Sequence, residues 1–162
     1  IHYFARLIDG GADIQMIGRR LLVIASEDVA MAYPSAISIV TACVQASLMV
    51  GLPEAAINLS QAVILLASAP KSNASYMAYN SAMNDLHNRQ IDDVPAHLKD
   101  SHYSGAAKLG FGQAYKYPHA YGGYVKQQYL PDNLYREGVK YYNPTENGTE
   151  GSFKKYLEGL EK

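Results

Sequence analysis

The densest group of side chains capable of chemistry lies between residues 101 and 131. This segment contains lysines, histidines and six tyrosines, but no aspartate or glutamate. Lysine neutralises phosphate groups and tyrosine offers a flat face on which a base stacks, so the pattern is typical of a surface that contacts a strand of nucleic acid. The candidate contact residues are Lys108, Tyr115, Lys116, Tyr117, His119, Tyr124, Lys126, Gln127, Gln128 and Tyr129.

The same tyrosines have a second interpretation. Their rings can pack on neighbouring helices or on another protomer, with the hydroxyl groups as polar handles. The three lysines, Lys108, Lys116 and Lys126, supply only a modest electrostatic attraction. The candidate residues are therefore predicted to contact either DNA or a second protomer.

An acidic pair, Glu27-Asp28, interrupts an apolar stretch. Two carboxylates can act as general acid and base or bind a metal ion. Adjacent residues on a helix point about 100° apart, however, so these two side chains do not converge on one site. The pair is predicted to form a salt bridge, with Arg19 or Arg20 as a possible partner.

Other signatures of catalysis are missing from the sequence. A nucleotide-binding loop requires the pattern Gly-x-x-x-x-Gly-Lys-Ser/Thr, and no segment has it. The single cysteine, Cys43, cannot form an intrachain disulfide and is predicted to be a buried apolar residue. An enzyme using Glu27, Asp28 or His119 is disfavoured because no orienting partner can be named. No catalytic, cofactor-binding or metal-binding residue is predicted in this chain.

The elements that precede the 101–131 segment are predicted to be helices. Apolar residues recur at spacings of three and four, and no stretch alternates like a strand, so residues 1–88 are predicted to form an all-α helical bundle. Asp13 is typical of a helix start and Gly51 of a helix end. The helix over residues 35–50 is apolar on nearly every side and is predicted to be the buried centre of the bundle.

The second half of the chain, residues 89–162, is predicted to be a long Gly/Tyr-rich irregular extension followed by a C-terminal helix capped by Ser152. Glycines at 110, 112, 122 and 123 disfavour a long helix. The whole length of 162 residues suits one domain, with the extension packed on the bundle. The net charge of −1 provides no global field for nucleic acid or membrane.

Several stretches of the sequence point to one family. They are Ala25-Ser26-Glu27-Asp28-Val29-Ala30, Leu52-Pro53-Glu54 with Gln61-Ala62-Val63, Ala69-Pro70-Lys71-Ser72-Asn73, Tyr115-Lys116-Tyr117-Pro118-His119, Gly122-Gly123-Tyr124-Val125 and Gln127-Gln128-Tyr129-Leu130-Pro131. Together these stretches resemble the C-terminal region of the replication-associated recombination ATPases, AAA+ proteins related to clamp loaders and to the Werner-helicase-interacting ATPase. The resemblance covers essentially the whole chain.

The resemblance implies a fold and a role. The bundle would be similar to the clamp-loader collar and would hold a homotetramer. ATP, Mg²⁺ and the ATPase activity would belong to an N-terminal domain that is absent from this chain, so no cofactor is expected here. The parent would act in the bacterial cytoplasm, at the nucleoid, on stalled replication forks.

The resemblance also implies partners. They would be DNA with single-stranded gaps or ends and the single-strand-binding protein, with no membrane. The predicted function is homo-oligomerisation of a DNA-dependent AAA+ ATPase in replication, recombination and repair. The alternative is a DNA-contacting module that uses residues 101–131.

Overall fold

The computed structural model of the chain describes residues 1–102 and 104–160. Every regular element in these residues is helical, which confirms the predicted all-α class. None of these helices has the length and hydropathy needed to cross a bilayer. The α-helices are α1 (His2–Asp9), α2 (Ile14–Ile24), α3 (Ala36–Val50), α4 (Ala55–Ser68), α5 (Ala74–Asn88), α6 (Asp132–Arg136) and α7 (Glu150–Leu160).

Shorter turns complete the described structure. A π-helical turn, Ala25–Val29, and a 3₁₀ turn, Ala30–Ala32, follow α2. Between α5 and α6 the regular elements among the described residues are three 3₁₀ turns, Ala96–Leu98, Ala106–Leu109 and Pro118–Tyr121.

The chain folds into two compact units. The first comprises Ile1–Tyr79 and the segment from Tyr142 to Leu160, the last described residue, and the second comprises Asn80–Tyr141. The predicted packing of bundle and extension into one domain stays a prediction.

The core of the first unit forms where α2, α3 and α4 pack together. Gly18 allows a close approach of α2 to α3, because a Cβ atom at this position would lie 2.7 Å from Cγ1 of Val44. Burial of each large apolar side chain contributes about 1.5–3 kcal/mol. The core includes Ile17, Leu21, Val40, Val44, Leu59 and Leu66.

Local signals place the ends of several helices as predicted. The carboxylate of Asp13 accepts a hydrogen bond from the backbone N–H of Gln15 (3.1 Å) and begins α2. Gly51, with φ of +69°, ends α3. The predicted start of the last helix is wrong: α7 begins at Glu150, and the hydroxyl of Ser152 donates to the carbonyl oxygen of Thr149 (2.7 Å).

The burial of α3 also differs from the prediction. Val40 and Val44 are buried against the neighbouring helices, whereas Ile37 and Met49 are exposed. The helix packs on α2 and α4, which cover one side of it. The prediction of a fully buried helix is therefore wrong for the isolated chain, and an apolar face of α3 remains uncovered.

Polar contacts connect the parts of the second unit. Nη2 of Arg89 lies 2.7 and 2.6 Å from the two carboxylate oxygens of Glu137. The backbone N–H of Asp92 donates to the side chain of Asn133 (3.2 Å), and the backbone N–H of Asn133 donates back to the Asp92 carboxylate (3.0 Å). These contacts join the residues after α5 to α6 and so frame the predicted contact segment. Among the described residues of this unit, the buried apolar side chains are those of Ala106 and Leu134.

Candidate functional site

The predicted contact segment is closed into a loop by the side chain of Gln127. Its Oε1 accepts a hydrogen bond from the backbone N–H of Lys116 (3.1 Å), and its Nε2 donates to the carbonyl oxygen of Lys116 (2.8 Å). Nε2 also donates to the hydroxyl oxygen of Tyr129 (3.0 Å), whose O–H donates to the carbonyl oxygen of Val125 (3.2 Å). The amide thus satisfies both backbone groups of one residue and forms the neck of a loop, residues 116–127.

Gln128 is also engaged within the second unit. Its Nε2 donates to the carbonyl oxygen of Leu130 (2.9 Å) and to the carboxylate of Asp132 (2.6 Å). Its own carbonyl oxygen lies 2.8 Å from Nε2 of His97. Of the predicted contact residues, Gln127, Gln128 and Tyr129 therefore use their polar groups to shape the loop.

The other predicted contact residues, both within the loop and before it, are exposed. Tyr117 is 61% exposed, and its ring lies 5.1 Å from the ring of His119, centroid to centroid. Packing against residues 1–102 and 104–160 does not cover a ring as accessible as that of Tyr117. Tyr103 lies outside the described residues. The exposed candidates are Lys108, Tyr115, Lys116, Tyr117, His119, Tyr124, Lys126 and Tyr129, although the hydroxyl of Tyr129 is engaged at the neck of the loop.

A second accessible surface lies on α3 and α4. Between Val29 and Pro70 the only charged residue in the sequence is Glu54. Met49 is 86% exposed and Ile57 is 70% exposed. Surface helices of monomeric proteins normally carry charged residues opposite the core, and large exposed apolar patches mark interaction sites. We call these surfaces the uncharged faces: Ile37, Ala42, Gln45, Leu48, Met49 and Val50 of α3, and Ile57, Gln61, Ile64 and Ala67 of α4.

Sequence reasoning missed a buried glutamate in the first unit. Glu150, at the start of α7, has 0% exposure. Its Oε1 accepts a hydrogen bond from the hydroxyl of Tyr142 (2.7 Å), and its Oε2 accepts from the backbone N–H and the hydroxyl of Thr145 (3.1 and 2.5 Å). The hydroxyl of Ser72 is a further hydrogen-bond partner. A glutamate in the first turn of a helix is ordinarily exposed, so its residue type carried no signal of this role.

Hydrogen bonds determine the protonation state of the Glu150 carboxylate. Burial acts to raise the pKa of Glu150, but the hydrogen bonds from Ser72, Thr145 and Tyr142 outweigh burial and hold the pKa below its usual value. Burial, reinforced by the hydrogen bond to Glu150, raises the pKa of Tyr142 to about 12. The ionised carboxylate thus connects the segment before α7 to the residues at the start of α5, so its role is structural.

The acidic pair occupies the π-helical turn after α2. Glu27 is half-buried and Asp28 is exposed. Within the described part of the chain neither carboxylate forms an ion pair with Arg19 or Arg20, so that predicted pairing is wrong. The π turn changes the helical spacing after Ile24 and so alters the faces on which the two acids lie.

Comparison with known proteins identifies the family. The family model for the C-terminal part of the MgsA AAA+ ATPases matches residues 1–161. The chain belongs to this family. The predicted resemblance to the replication-associated recombination ATPases is thereby confirmed.

Similar proteins support this family assignment. The chain is 48% identical over 164 residues to replication-associated recombination protein A of Bacillus subtilis, which covers 100% of the chain and 38% of that protein. It is 37% identical to the protein of the same name from Escherichia coli K12, covering 99% of the chain and 36% of the relative. The ATPase WRNIP1 of Dictyostelium discoideum is 32% identical over 146 residues, which is 89% of the chain and 17% of that protein. The chain therefore spans little more than a third of the two bacterial relatives.

Proposed function

We propose that this chain is the homo-oligomerisation domain of a AAA+ ATPase that acts at stalled replication forks, and that its assembled state is a homotetramer. The family match supports a C-terminal domain in replication and recombination. In this proposal the bundle serves as a collar like that of clamp-loader subunits. The parent binds ATP and Mg²⁺ outside this chain and works at the bacterial nucleoid on DNA with single-stranded gaps or ends, together with single-strand-binding protein.

The absence of charge from the exposed sides of α3 and α4 carries this proposal. Leaving Met49 and Ile57 in water gives up the free energy that their burial would release, about 25 cal/mol per Å² of apolar surface. A stable subunit contact buries roughly 2,000 Å² or more and is richer in apolar area than a transient one. The uncharged faces offer side chains of the kind that such a contact needs.

Replacing Met49 and Ile57 together by glutamate is expected to convert the chain from a tetramer to a monomer. Two carboxylates in an apolar contact must be desolvated without partners, which costs several kcal/mol for each. Light scattering coupled to size exclusion measures the mass, expected to be about four times the 17.7 kDa of one chain for the original sequence.

Leu109→Glu is the matched control, because Leu109 is 61% exposed but lies outside the uncharged faces. It is expected to leave the mass unchanged. A monomeric original chain, or a double variant that remains tetrameric while its helical circular dichroism is intact, would refute the proposal.

We propose DNA contact through residues 101–131 as a second function of the domain. The observation that favours it is the loop 116–127, in which Gln127 holds the neck while Lys116, Tyr117 and Lys126 stay exposed. Lysines attract the phosphates, and exposed tyrosine rings stack on unpaired bases. Single-stranded DNA is therefore the ligand that suits the loop.

Replacing Lys108, Lys116 and Lys126 together by alanine is expected to flatten the salt dependence of binding to an oligothymidylate. Each phosphate contact on a single strand contributes about 0.7 to the log–log slope, so the loss should approach roughly 2. Fluorescence anisotropy at a series of salt concentrations gives the slope. Lys154→Ala is the control, since Lys154 is paired with Glu146 at 2.5 Å, and an equal slope in the triple variant would contradict DNA contact here.

A further inference from the structure

A cleft beside the π-helical turn combines one carboxylate with mostly apolar lining residues. It has a volume of about 570 Å³ and lies within the first unit. Among the described residues that line it, Glu27 is the charged one. The other lining residues are Leu22, Val23, Ser26, Ile37, Ser75 and Tyr76.

The carboxylate of Glu27 is unpaired in the chain as described. It is half-buried, and within residues 1–102 and 104–160 no hydrogen bond or ion pair engages it. Water in the open cleft can solvate this charge. A surface that covered the cleft would remove that water, at a cost of several kcal/mol unless a cation came with it.

The cleft is continuous with one of the uncharged faces. Ile37 is 38% exposed on α3, belongs to that face and also lines the cleft. A second copy of the chain that covers this end of α3 would therefore also cover Glu27. The covering surface must supply a positive charge at this point, or the contact would bury an unpaired carboxylate.

We infer that an arginine of a second copy enters the cleft and pairs with Glu27 in the assembled protein. This inference rests on the proposed homo-oligomerisation. Tyr76, which is 44% exposed, forms part of the cleft wall. Arginine suits such a wall because its planar guanidinium stacks on an aromatic ring while it donates two hydrogen bonds to a carboxylate.

The first unit itself offers three candidate arginines. Arg6, Arg19 and Arg20 are exposed and have no ion-pair partner in the part of the chain that the structure describes. In a symmetric contact each copy would give one arginine and one Glu27, so every pair would form twice. The acid thereby fixes the alignment of two otherwise uncharged surfaces, which apolar contacts alone specify weakly.

Glu27→Gln is expected to raise the concentration at which the assembly dissociates by at least tenfold. Removing one charge of a buried pair weakens association strongly, because the other charge stays buried without a partner. Sedimentation velocity over a dilution series of the full 162-residue chain measures it. Asp28→Asn, which removes an equal charge one residue away and outside the cleft, is the matched control and is expected to change dissociation by less than about twofold.

Charge exchange identifies the partner. Glu27→Arg should dissociate the assembly, and mixing it with a copy carrying Arg6→Glu, Arg19→Glu or Arg20→Glu should restore mixed oligomers with one of the three. Restoration by one mixture supports the inference, and dissociation that none of the three mixtures restores overturns it. If the original chain assembles and Glu27→Gln matches Asp28→Asn, the inference alone fails. If the original chain is monomeric, the proposed assembly fails and takes the inference with it.

Discussion

Replacing Glu150 by alanine is expected to lower the free energy of unfolding of the first unit by roughly 3–5 kcal/mol. The carboxylate accepts hydrogen bonds from Tyr142, Thr145 and Ser72 in a fully buried position. A hydrogen bond to a charged group contributes about 1.5–3 kcal/mol, and contributions within one network do not add. Removing the acceptor also leaves the buried hydroxyl of Ser72 and the half-buried donors of Tyr142 and Thr145 without this partner, which costs further free energy.

Glu146→Ala is the control for this substitution. Glu146 is an exposed acid in the same segment, and its ion pair with Lys154 lies at the surface, where solvent screening leaves it little effect on stability. Urea unfolding followed by circular dichroism gives both values. Equal losses for the two variants would show that the buried network does not stabilise the unit.

The same network predicts how stability depends on pH. The pKa of Glu150 is lower in the folded chain than in the unfolded one, so its contribution is fully present above the ordinary pKa and disappears as the pH falls through the folded pKa. The contribution of Tyr142 to stability depends on pH in the opposite direction. Its pKa is raised to about 12, so this contribution is present below its ordinary pKa and is lost as the pH rises toward 12. In Tyr142→Phe the alkaline loss should shrink, while acid still destabilises the chain.

Local signals in the sequence determined much of the helical structure. Asp13 begins α2 with a short-range hydrogen bond, and Gly51 ends α3 in a conformation that glycine adopts without strain. Each signal acts between residues a few positions apart, so it can be read without knowing the fold. The start of α7 was misplaced because the contacts that determine it come from distant positions.

The burial of α3 could not be predicted from its pattern. An all-apolar helix is equally suited to the centre of one chain and to a contact between chains. Only the placement of α2 and α4 shows that Met49 lies outside the core of the single chain. The apolar pattern alone therefore does not show whether the exposed side chains of α3 are covered within the chain or by another molecule.

For the candidate loop too, the sequence gives the residue types but not the positions of their side chains. The mixture of lysine and tyrosine predicts a contact surface, and that prediction needs only the composition of the segment. That Gln127 pairs with the backbone of Lys116 across 11 positions was not visible, because an amide side chain has many possible partners. The structure therefore assigns Gln127 and Gln128 to shaping the loop, whereas Tyr129 both shapes it and stays exposed.

Replacing Gly148 by alanine is expected to destabilise the first unit by roughly 2–5 kcal/mol. Gly148 has φ of +53°, a conformation that costs an alanine about 1–2 kcal/mol. A Cβ atom would also lie 2.2 Å from the carbonyl oxygen of Ala32, which is backbone and cannot rotate away. Relieving that overlap must displace the turn, and such overpacking costs about 1–3 kcal/mol more.

The displaced contact is the one that joins the turn before α7 to the residues after α2. The backbone N–H of Thr149 donates to the same carbonyl oxygen of Ala32 (2.9 Å), so moving the turn also weakens this hydrogen bond. Gly11→Ala is the matched control, because Gly11 has φ of +76° and a Cβ atom there would meet nothing within 4 Å. Thermal unfolding should show a fall in Tm of roughly 10 °C or more for Gly148→Ala and only a few degrees for Gly11→Ala. Equal shifts would mean that backbone conformation alone, and not the close approach to Ala32, requires glycine at 148.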